Sequence, residues 1–332
     1  MSAVSGTQLS LTKKDFSSDQ EVRWCPGCGD YAILSTVQSY LPSLGIPREN
    51  VVFISGIGCS SRFPYYVDTY GMHSIHGRAP AIATGLAVSR PDLKVFVVTG
   101  DGDGLSIGGN HLLHALRRNV NITILLFNNQ IYGLTKGQYS PTSELGKVTK
   151  STPMGSLDVP FNPISLVLGA EASFVARSVD SDRAHLTSVL TAAAAREGSA
   201  FIEIYQNCNI FNDNAFEPMK SPASRDAATI RMAHGEPLRS ATSSVLRTAD
   251  GLTLVDDPEH PDTLLHDAHA ADPTFAFALS RLRSPTPIGV FRDVPRPSYD
   301  RLVAEQLAGA RERQGHGDLA ALLAGSDTWS VD

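Results

Sequence analysis

The chain has 332 residues, of which 42% are apolar and 19% charged, so it can bury a large core and lacks the composition of a disordered chain. Its 28 Lys and Arg against 34 Asp and Glu give a net charge of −6 without basic blocks, which argues against nucleic acid or an anionic membrane as partner. No stretch approaches the roughly 18 apolar residues of a membrane-spanning helix, and the N-terminal segment lacks an apolar signal region. We therefore expect a soluble, cytoplasmic protein.

The first part of the chain predicts an α/β fold. Residues 1–29 are polar and look like an ordered arm that ends in a Cys/Gly/Pro cluster. From Asp30 on, amphipathic helices alternate with short apolar strands, which is typical of a doubly wound, mostly parallel sheet with helices on both faces. Beyond the helix that begins at Asp30, helices are predicted at residues 79–89, 111–118, 164–168 and 183–196, and strands at residues 51–54, 94–99, 122–127, 174–179 and 200–205.

This pattern predicts one α/β domain over residues 30–214, with its functional loops at the carboxyl ends of the strands. Beyond residue 214 the composition shifts to Pro, Asp, His and Ala. One helical stretch at residues 274–282 and one apolar run at residues 288–291 stand out there. We predict that residues 215–332 form an irregular C-terminal extension that wraps the core or a partner subunit.

The four cysteines are too few for a disulfide scaffold in so long a chain, which favours metal binding or redox chemistry. Cys25 and Cys28 form a Cys-x-x-Cys motif, whose spacing lets two thiolates bind one metal centre. A thioredoxin-like redox pair is disfavoured because no strand precedes the motif. A zinc ribbon would need a second closely spaced Cys or His pair, and the sequence has none.

The other two cysteines, Cys59 and Cys208, each follow a predicted strand. Both would lie at the carboxyl ends of parallel strands, so all four cysteines could converge on one edge of the sheet and bind a [4Fe-4S] cluster. A second interpretation stays open at this point, in which Cys59 and Cys208 are small buried apolar side chains.

A glycine-rich acidic loop, Gly100-Asp101-Gly102-Asp103-Gly104, follows the predicted strand at residues 94–99. Its carboxylates can bind Mg²⁺, and its glycines expose backbone amides to phosphate oxygens. A hairpin turn is disfavoured because a helical pattern follows, and an EF-hand fails because Leu105 occupies the third ligand position. Asn128-Asn129 follows the next predicted strand, at residues 122–127, and Asn129 lies 28 residues beyond Asp101.

Gly-Asp-Gly followed by nearly thirty residues and Asn-Asn resembles the thiamine diphosphate (TPP) signature. In that signature the Asp, the last Asn and a backbone carbonyl two residues later hold Mg²⁺ against the diphosphate. By this resemblance the Mg²⁺ ligands are Asp101, Asn129 and the carbonyl of Ile131. TPP carries carbanions, so the implied chemistry is cleavage beside a ketone.

Iron–sulfur cysteines together with a thiamine loop resemble the β subunits of the 2-oxoacid:ferredoxin oxidoreductases, over about residues 20–215. The resemblance rests on Trp-Cys-Pro-Gly-Cys-Gly at 24–29, Gly-Ile-Gly-Cys-Ser at 56–60, His-Ser-Ile-His-Gly-Arg at 73–78, Gly-Asp-Gly-Asp at 100–103 and Tyr-Gly-Leu-Thr-Lys-Gly-Gln at 132–138. It implies that Cys25, Cys28, Cys59 and Cys208 bind one [4Fe-4S] cluster. In that family a 2-oxoacid adds to the TPP carbanion and loses CO₂, electrons pass singly to the cluster, and coenzyme A takes the acyl group. Ferredoxin is the usual acceptor.

The resemblance also places His76, Gly77 and Arg78 beside the diphosphate, although the residues alone favour buried core histidines at positions 73 and 76. The complete set of residues predicted to contact the cofactor is Ile57, Gly58, Cys59, His76, Gly77, Arg78, Gly100, Asp101, Gly102, Asp103, Asn129, Ile131, Gly133, Leu134 and Thr135.

Lys136 is predicted to set the substrate preference. Leu-Thr-Lys-Gly-Gln at 134–138 resembles the 2-oxoglutarate type of the family, whereas pyruvate-type members have Gly at the Lys position. A cation here could pair with the distal carboxylate of 2-oxoglutarate, which pyruvate lacks. The substrate hypothesis is therefore 2-oxoglutarate, with pyruvate or another 2-oxoacid as the alternative.

Enzymes of this kind bind TPP between two domains, and the resemblance assigns the glutamate that activates the aminopyrimidine to a separate α subunit. We therefore expect the chain to be inactive alone and to assemble with an α subunit as an α2β2 heterotetramer. Two other functions remain open: a non-redox TPP decarboxylase or ligase subunit with incidental cysteines, and a non-catalytic zinc or iron–sulfur scaffold protein with a degenerate TPP fold.

Overall fold

An eight-stranded sheet lies at the centre of the computed structural model, which describes residues 10–329 and 331. The strands are β1 (Val51–Ser55), β2 (Tyr70–His73), β3 (Lys94–Gly100), β4 (Ile122–Asn128), β5 (Phe174–Val179), β6 (Ala200–Tyr205), β7 (Thr229–Met232), β8 (Ser244–Thr248), β9 (Gly251–Val255) and β10 (Thr286–Asp293). The sheet order is β2-β1-β3-β4-β6-β5-β10-β7, and β8 pairs with β9 in a separate antiparallel hairpin. Within the large sheet every pairing is parallel except β5 with β10.

The α-helices are α1 (Asp30–Tyr40), α2 (Ala79–Ser89), α3 (Asp101–Leu105), α4 (Gly109–Arg118), α5 (Pro163–Gly169), α6 (Arg183–Ala194), α7 (Glu217–Lys220), α8 (Arg225–Ala228), α9 (Thr274–Ser280), α10 (Tyr299–Gln314) and α11 (Leu319–Ala324). The five strands predicted within residues 51–205 are all present, each within one residue of its predicted bounds. The predicted α/β class with a mostly parallel sheet is confirmed.

Two apolar cores cover the two faces of the sheet. In β1 the side chains of Val52 and Ile54 belong to one core, and those of Val51 and Phe53 belong to the other. Successive strand residues point to opposite faces, so a strand that is apolar throughout must be buried on both sides. Helices α2, α4, α5 and α9 contribute to the first core, while α1 and α6 contribute to the second. This packing holds the ends of β1, β3, β4 and β6 in fixed register.

The C-terminal extension is more regular than the sequence indicated. Strands β7 and β10 come from residues 215–332 and complete one edge of the sheet, and α10 is a helix of 16 residues. The apolar run at residues 288–291 lies inside β10, and the helical stretch predicted at residues 274–282 appears as α9. The extension therefore adds two strands to the sheet of the α/β domain, and the division of the chain at residue 214 stays a prediction.

The N-terminal arm packs onto the second core where the structure describes it, because Phe16 and Trp24 are buried there. Residues 1–9 of the predicted arm lie outside the described residues. Among residues 10–329 and 331, no helix has both the length and the apolar character needed to cross a membrane.

Candidate functional site

The acidic loop lies where the sequence placed it, at the carboxyl end of β3. Asp101 begins α3 directly after Gly100 and is only 2% exposed. Its Oδ2 accepts hydrogen bonds from the hydroxyls of Ser140 at 2.5 Å and Thr142 at 2.6 Å. Burial raises the pKa of the Asp101 carboxyl to about 6, and the two hydroxyls act in the opposite direction. A carboxylate held in this way has hard oxygen donors of the kind that Mg²⁺ prefers.

Both carboxylate oxygens of Asp103 accept hydrogen bonds from neighbouring residues. Its Oδ1 accepts the backbone N–H of Gly77 at 2.8 Å, and its Oδ2 accepts the hydroxyl of Thr99, also at 2.8 Å. Gly77 has a positive φ of 67°, and a Cβ there would lie 2.4 Å from the backbone nitrogen of Gly108. This position therefore requires glycine. Asp103 thus fixes the turn at residues 76–77 beside the acidic loop.

The Asn-Asn element forms a tight turn at the end of β4. The Oδ1 of Asn129 accepts the backbone N–H of Ile131 at 3.1 Å. Gln130 between them has a positive φ of 57°, which is uncommon for a residue with a Cβ. The backbone carbonyl of Asn129 accepts a hydrogen bond of 2.9 Å from Nδ2 of Asn212. The turn thus brings Asn129 and Ile131 together beside Asp101.

One cavity of about 70 Å³ collects nearly all the predicted cofactor residues. The predicted residues that line it are Ile57, Gly58, Cys59, His76, Gly100, Asp101, Gly102, Asp103, Asn129, Ile131, Gly133, Leu134 and Thr135. Gly77 and Arg78 are not among its lining residues; Arg78 instead contacts the ring of His111. Ser60, Phe127 and Tyr132 also line the cavity, and none of the three was predicted to contact the cofactor.

Tyr132 closes the wall of this cavity over Gly102. Its hydroxyl donates a hydrogen bond of 2.9 Å to the backbone carbonyl of Gly102, and a Cβ on Gly102 would lie 2.2 Å from the Tyr132 ring. The second glycine of Gly-Asp-Gly is therefore required by this close approach. Tyr132 begins the Tyr-Gly-Leu-Thr-Lys-Gly-Gln motif, so its sequence signal was present, but its role depends on a contact across 30 residues.

All four cysteines line a second cavity of about 230 Å³. The indole N–H of Trp24 donates to the carbonyl of Cys59 at 2.7 Å, which ties the Cys-x-x-Cys segment to the loop after β1. Gln206 donates a hydrogen bond of 3.2 Å to the sulfur of Cys28, and Cys208 lies in the loop after β6. The predicted convergence of the cysteines at one edge of the sheet is therefore found.

The chemistry of the donor set fits an iron–sulfur cluster, because the thiols of four cysteines line one cavity. Throughout the part of the chain that the structure describes, no three His, Cys, Asp or Glu side chains lie close enough to hold one metal ion. Burial raises the pKa of the Cys59 thiol to about 12 and raises that of Cys28 still further. Iron binding would therefore displace thiol protons.

The two cavities adjoin each other. Cys59, Asn129, Gly133 and Leu134 line both of them. Gly133 lies close to two of the sulfurs, since a Cβ there would lie 3.5 Å from Sγ of Cys59 and 3.7 Å from Sγ of Cys208. The arrangement can therefore hold a diphosphate–metal group and a metal–sulfur group side by side within one chain.

Lys136 lies with the cysteines. It lines the cysteine cavity together with Arg23 and Arg62, and it is not among the residues that line the 70 Å³ cavity. Its side chain is exposed and its φ is positive at 76°. A residue with a Cβ pays about 1–2 kcal/mol for this conformation, which is a sign of a functional constraint.

Comparisons with known proteins show the family of the chain. Residues 56–204 match the thiamine pyrophosphate enzyme family described as the C-terminal TPP binding domain. Over 357 aligned residues the chain is 60% identical to the 2-oxoglutarate oxidoreductase subunit KorB of Mycobacterium tuberculosis, and the match covers 99% of this chain and 95% of that relative. The chain belongs to the family of 2-oxoacid:ferredoxin oxidoreductase β subunits. The family resemblance inferred from the motifs is thereby confirmed.

Other members of this family are similar to part of this chain or to nearly all of it. The β subunit of 2-oxoacid:ferredoxin oxidoreductase 1 from Aeropyrum pernix is 45% identical over 190 residues, which are 57% of this chain and 60% of that relative. The solved structure of 2-oxoglutarate:ferredoxin oxidoreductase from Magnetococcus marinus, with 2-oxoglutarate, coenzyme A and succinyl-CoA bound, superposes with a TM-score of 0.76 at 35% identity. That superposition covers 96% of this chain and 97% of the other, so the structural similarity includes most of the C-terminal extension.

Proposed function

We propose that this chain is the β subunit of a 2-oxoglutarate:ferredoxin oxidoreductase that binds TPP with Mg²⁺ and one [4Fe-4S] cluster. The reaction converts 2-oxoglutarate and coenzyme A to succinyl-CoA and CO₂, or runs in reverse, and passes electrons to ferredoxin. The observation that carries the proposal is the pair of adjoining cavities that share Cys59, Asn129, Gly133 and Leu134. The Mycobacterium relative and the Magnetococcus structure, both named for 2-oxoglutarate, support the choice of substrate.

The thiamine group would supply a stabilised carbanion for cleavage beside the ketone, and the cluster would accept the electrons one at a time. For the metal of the first group, the chain offers the Asp101 carboxylate, the Asn129 amide oxygen and the Ile131 carbonyl. All three are hard oxygen donors, and all three residues line one cavity. Asp101 and Asn129 directly follow the ends of β3 and β4. The tight approach of Tyr132 to Gly102 keeps this wall closed. His76, Gly77 and Arg78 remain the predicted neighbours of the diphosphate.

For the second group, the chain offers the thiols of Cys25, Cys28, Cys59 and Cys208 around one cavity. Gln206 donates to the Cys28 sulfur, and such a hydrogen bond stabilises negative charge on a thiolate ligand. Placing both groups in one chain shortens the path of the electrons out of a reactive centre. Gly133 contributes to this closeness because its missing side chain leaves space beside two sulfurs.

Lys136 is the proposed partner of the distal carboxylate of 2-oxoglutarate. Its strained backbone and its exposed amine beside Leu134 support this role, since Leu134 lines both cavities. A hydrogen-bonded ammonium–carboxylate contact contributes about 1.5–3 kcal/mol, which is enough to separate 2-oxoglutarate from pyruvate.

The proposal also includes a partner subunit. We infer that an α subunit supplies the glutamate that activates the aminopyrimidine and that the complex is α2β2. The enzyme would work in the cytoplasm, where reducing conditions keep the four cysteines available as ligands.

Anaerobic co-expression with the α subunit tests this function. The purified complex should contain iron and acid-labile sulfide, and it should reduce a viologen dye with 2-oxoglutarate only when coenzyme A is present. Iron-free complex that still decarboxylates a 2-oxoacid would instead support the non-redox TPP enzyme. Failure of the complex to bind TPP with Mg²⁺ would support the scaffold protein.

A further inference from the structure

Asn212 connects the two predicted cofactor sites. It is 7% exposed and lies in the loop after β6, four residues beyond Cys208. Its backbone N–H donates to the carbonyl of Cys208 at 3.0 Å, and its Nδ2 donates to the carbonyl of Asn129 at 2.9 Å. One side of this residue thus fixes the turn of a predicted cluster ligand, and the other fixes the turn of a predicted metal ligand.

The contact with Asn129 acts on a strained peptide. The carbonyl of the Asn129–Gln130 peptide accepts from Asn212, while its N–H donates to Oδ1 of Asn128 at 3.2 Å. The peptide plane is therefore held at both ends, and Gln130 follows it at a φ of 57°. Strained backbone of this kind persists only where its surroundings determine it. The Asn129 side chain then accepts the N–H of Ile131, which completes the metal-ligand turn.

A lysine reinforces Asn212 from the other side. The ammonium of Lys147 donates to Oδ1 of Asn212 at 2.6 Å and also contacts Glu144 at 3.2 Å. Its side chain is only 21% exposed, so this contact is partly shielded from water. A cation on the amide oxygen polarises the amide, which strengthens the donation from Nδ2 to Asn129. Lys147, Asn212 and Asn129 therefore form one directed chain of hydrogen bonds.

We propose that Asn212 is a positioning residue that links metal–TPP binding to retention of the iron–sulfur cluster. This inference rests on the proposed function, because it assumes a metal at Asn129 and a cluster at Cys208. If Asn212 holds both turns in register, each cofactor stabilises the geometry that the other requires. Such a link is reciprocal in binding free energy, so TPP with Mg²⁺ stabilises the bound cluster by the same amount by which the cluster stabilises bound TPP. We expect a more stable cluster to lose its iron more slowly.

The test uses the anaerobic two-subunit complex with its cluster in place. Calorimetry gives the TPP affinity at saturating Mg²⁺, and a chelator challenge gives the rate of iron loss with and without TPP–Mg²⁺. In the wild type, TPP–Mg²⁺ slows iron loss. Asn212→Asp keeps the side-chain shape and the contact with Lys147 but replaces the donor to Asn129 by an acceptor. We expect its TPP affinity to fall about tenfold and the protection of iron to disappear.

Matched variants separate this role from a general effect on the loop. Ile210→Ala changes a 55% exposed side chain in the same loop and should alter neither measurement. Lys147→Met should give part of the Asn212→Asp effect, and the double variant should be less than additive because both act through one chain of contacts.

The possible failures are distinct. A wild-type complex that shows no Mg²⁺-dependent TPP binding overturns the proposed function and this inference together. A wild-type complex that binds TPP while Asn212→Asp matches it in both measurements overturns the inference alone. Weakened TPP binding with unchanged protection of iron overturns the link between the two sites.

Discussion

The hydroxyl of Thr142 donates a 2.6 Å hydrogen bond to Oδ2 of Asp101, although 41 residues of chain separate them. Ser140 donates to the same oxygen at 2.5 Å. A buried carboxylate that accepts hydrogen bonds from two hydroxyls cannot rotate freely. These hydrogen bonds also lower its pKa, which favours the charged form against the effect of burial. The loop after β4 therefore holds the Asp101 carboxylate of the acidic loop after β3 in one orientation.

Removing these hydroxyls should weaken metal–TPP binding. Thr142→Val keeps the side-chain shape, and Ser140→Ala removes only the second donor. Because residues that orient a metal ligand typically contribute 10–100-fold to affinity, we expect each change to weaken TPP binding at limiting Mg²⁺ by about tenfold. Calorimetry on the two-subunit complex measures this. Thr187→Val is the matched control, because the exposed Thr187 hydroxyl donates to the carbonyl of Arg183 in its own helix. Equal affinities for Thr142→Val and the control would contradict the role of Thr142.

Gly102→Ala should destabilise the complex because the new Cβ would lie 2.2 Å from the Tyr132 ring. Overpacking of this kind costs about 1–3 kcal/mol, and displacing Tyr132 also breaks its hydrogen bond to Gly102. The melting temperature should fall and TPP binding should weaken. Gly85→Ala is the control, because Gly85 lies within α2 with open space around its Cα. The free energy of unfolding of Gly85→Ala should rise by about 0.5–1 kcal/mol. Equal melting temperatures for the two variants would show that Tyr132 does not close over Gly102.

His185 should make stability depend on pH. Burial lowers the pKa of its imidazole to about 4, while Nδ1 lies 2.8 Å from the Ser178 hydroxyl. The unfolded chain takes up this proton below pH ~6.5, but the folded chain does so only near pH 4. The contribution is thus complete above pH ~6.5 and is lost as the pH falls towards 4. Denaturation curves of His185→Asn should show a shallower loss of stability over this range. An unchanged slope would mean that another group titrates there.

Lys136→Gly should change substrate preference without harming the fold. Glycine accepts the positive φ of 76° freely, so any loss of activity reports the missing ammonium. We expect kcat/KM for 2-oxoglutarate to fall about 10–100-fold while that for pyruvate stays level. Lys136→Met, which keeps the length without the charge, should behave alike, and the exposed Lys150→Ala should match the wild type. Full retention of 2-oxoglutarate preference would remove Lys136 from this role.

Much of the fold could be predicted because its signals are local. Strands β5 and β6 are mainly apolar segments that are bounded by polar residues, and both were predicted to the residue although Arg177, Ser178 and Glu203 lie within them. Strand β2 was missed because it is a short, exposed edge strand with the sequence Tyr-Gly-Met-His. Strand β7 was missed because its partner β10 lies more than fifty residues later, so its pairing depends on tertiary structure.

The candidate site likewise contains residues that the sequence predicted and residues that it did not. Asp101 and Asn129 directly follow β3 and β4, which were predicted to within one residue, so the sheet alone brings them together. Ser140, Thr142 and Asn212 reach the site from irregular loops without periodicity, and their partners lie 39, 41 and 83 residues away. Sequence patterns therefore predicted the groups offered to the cofactors, whereas the side chains that orient those groups became visible only in the structure.

Electron paramagnetic resonance of the anaerobic two-subunit complex, loaded with TPP and Mg²⁺, shows whether a 2-oxoacid can reduce the cluster of this chain. If the chain carries both cofactors and uses 2-oxoglutarate, adding that substrate should produce the signal of a reduced [4Fe-4S] cluster, and pyruvate should produce much less. Asp101→Asn should lose the substrate-dependent signal while keeping the signal that dithionite produces. A complex whose cluster is reduced by dithionite but by no 2-oxoacid would contradict the account.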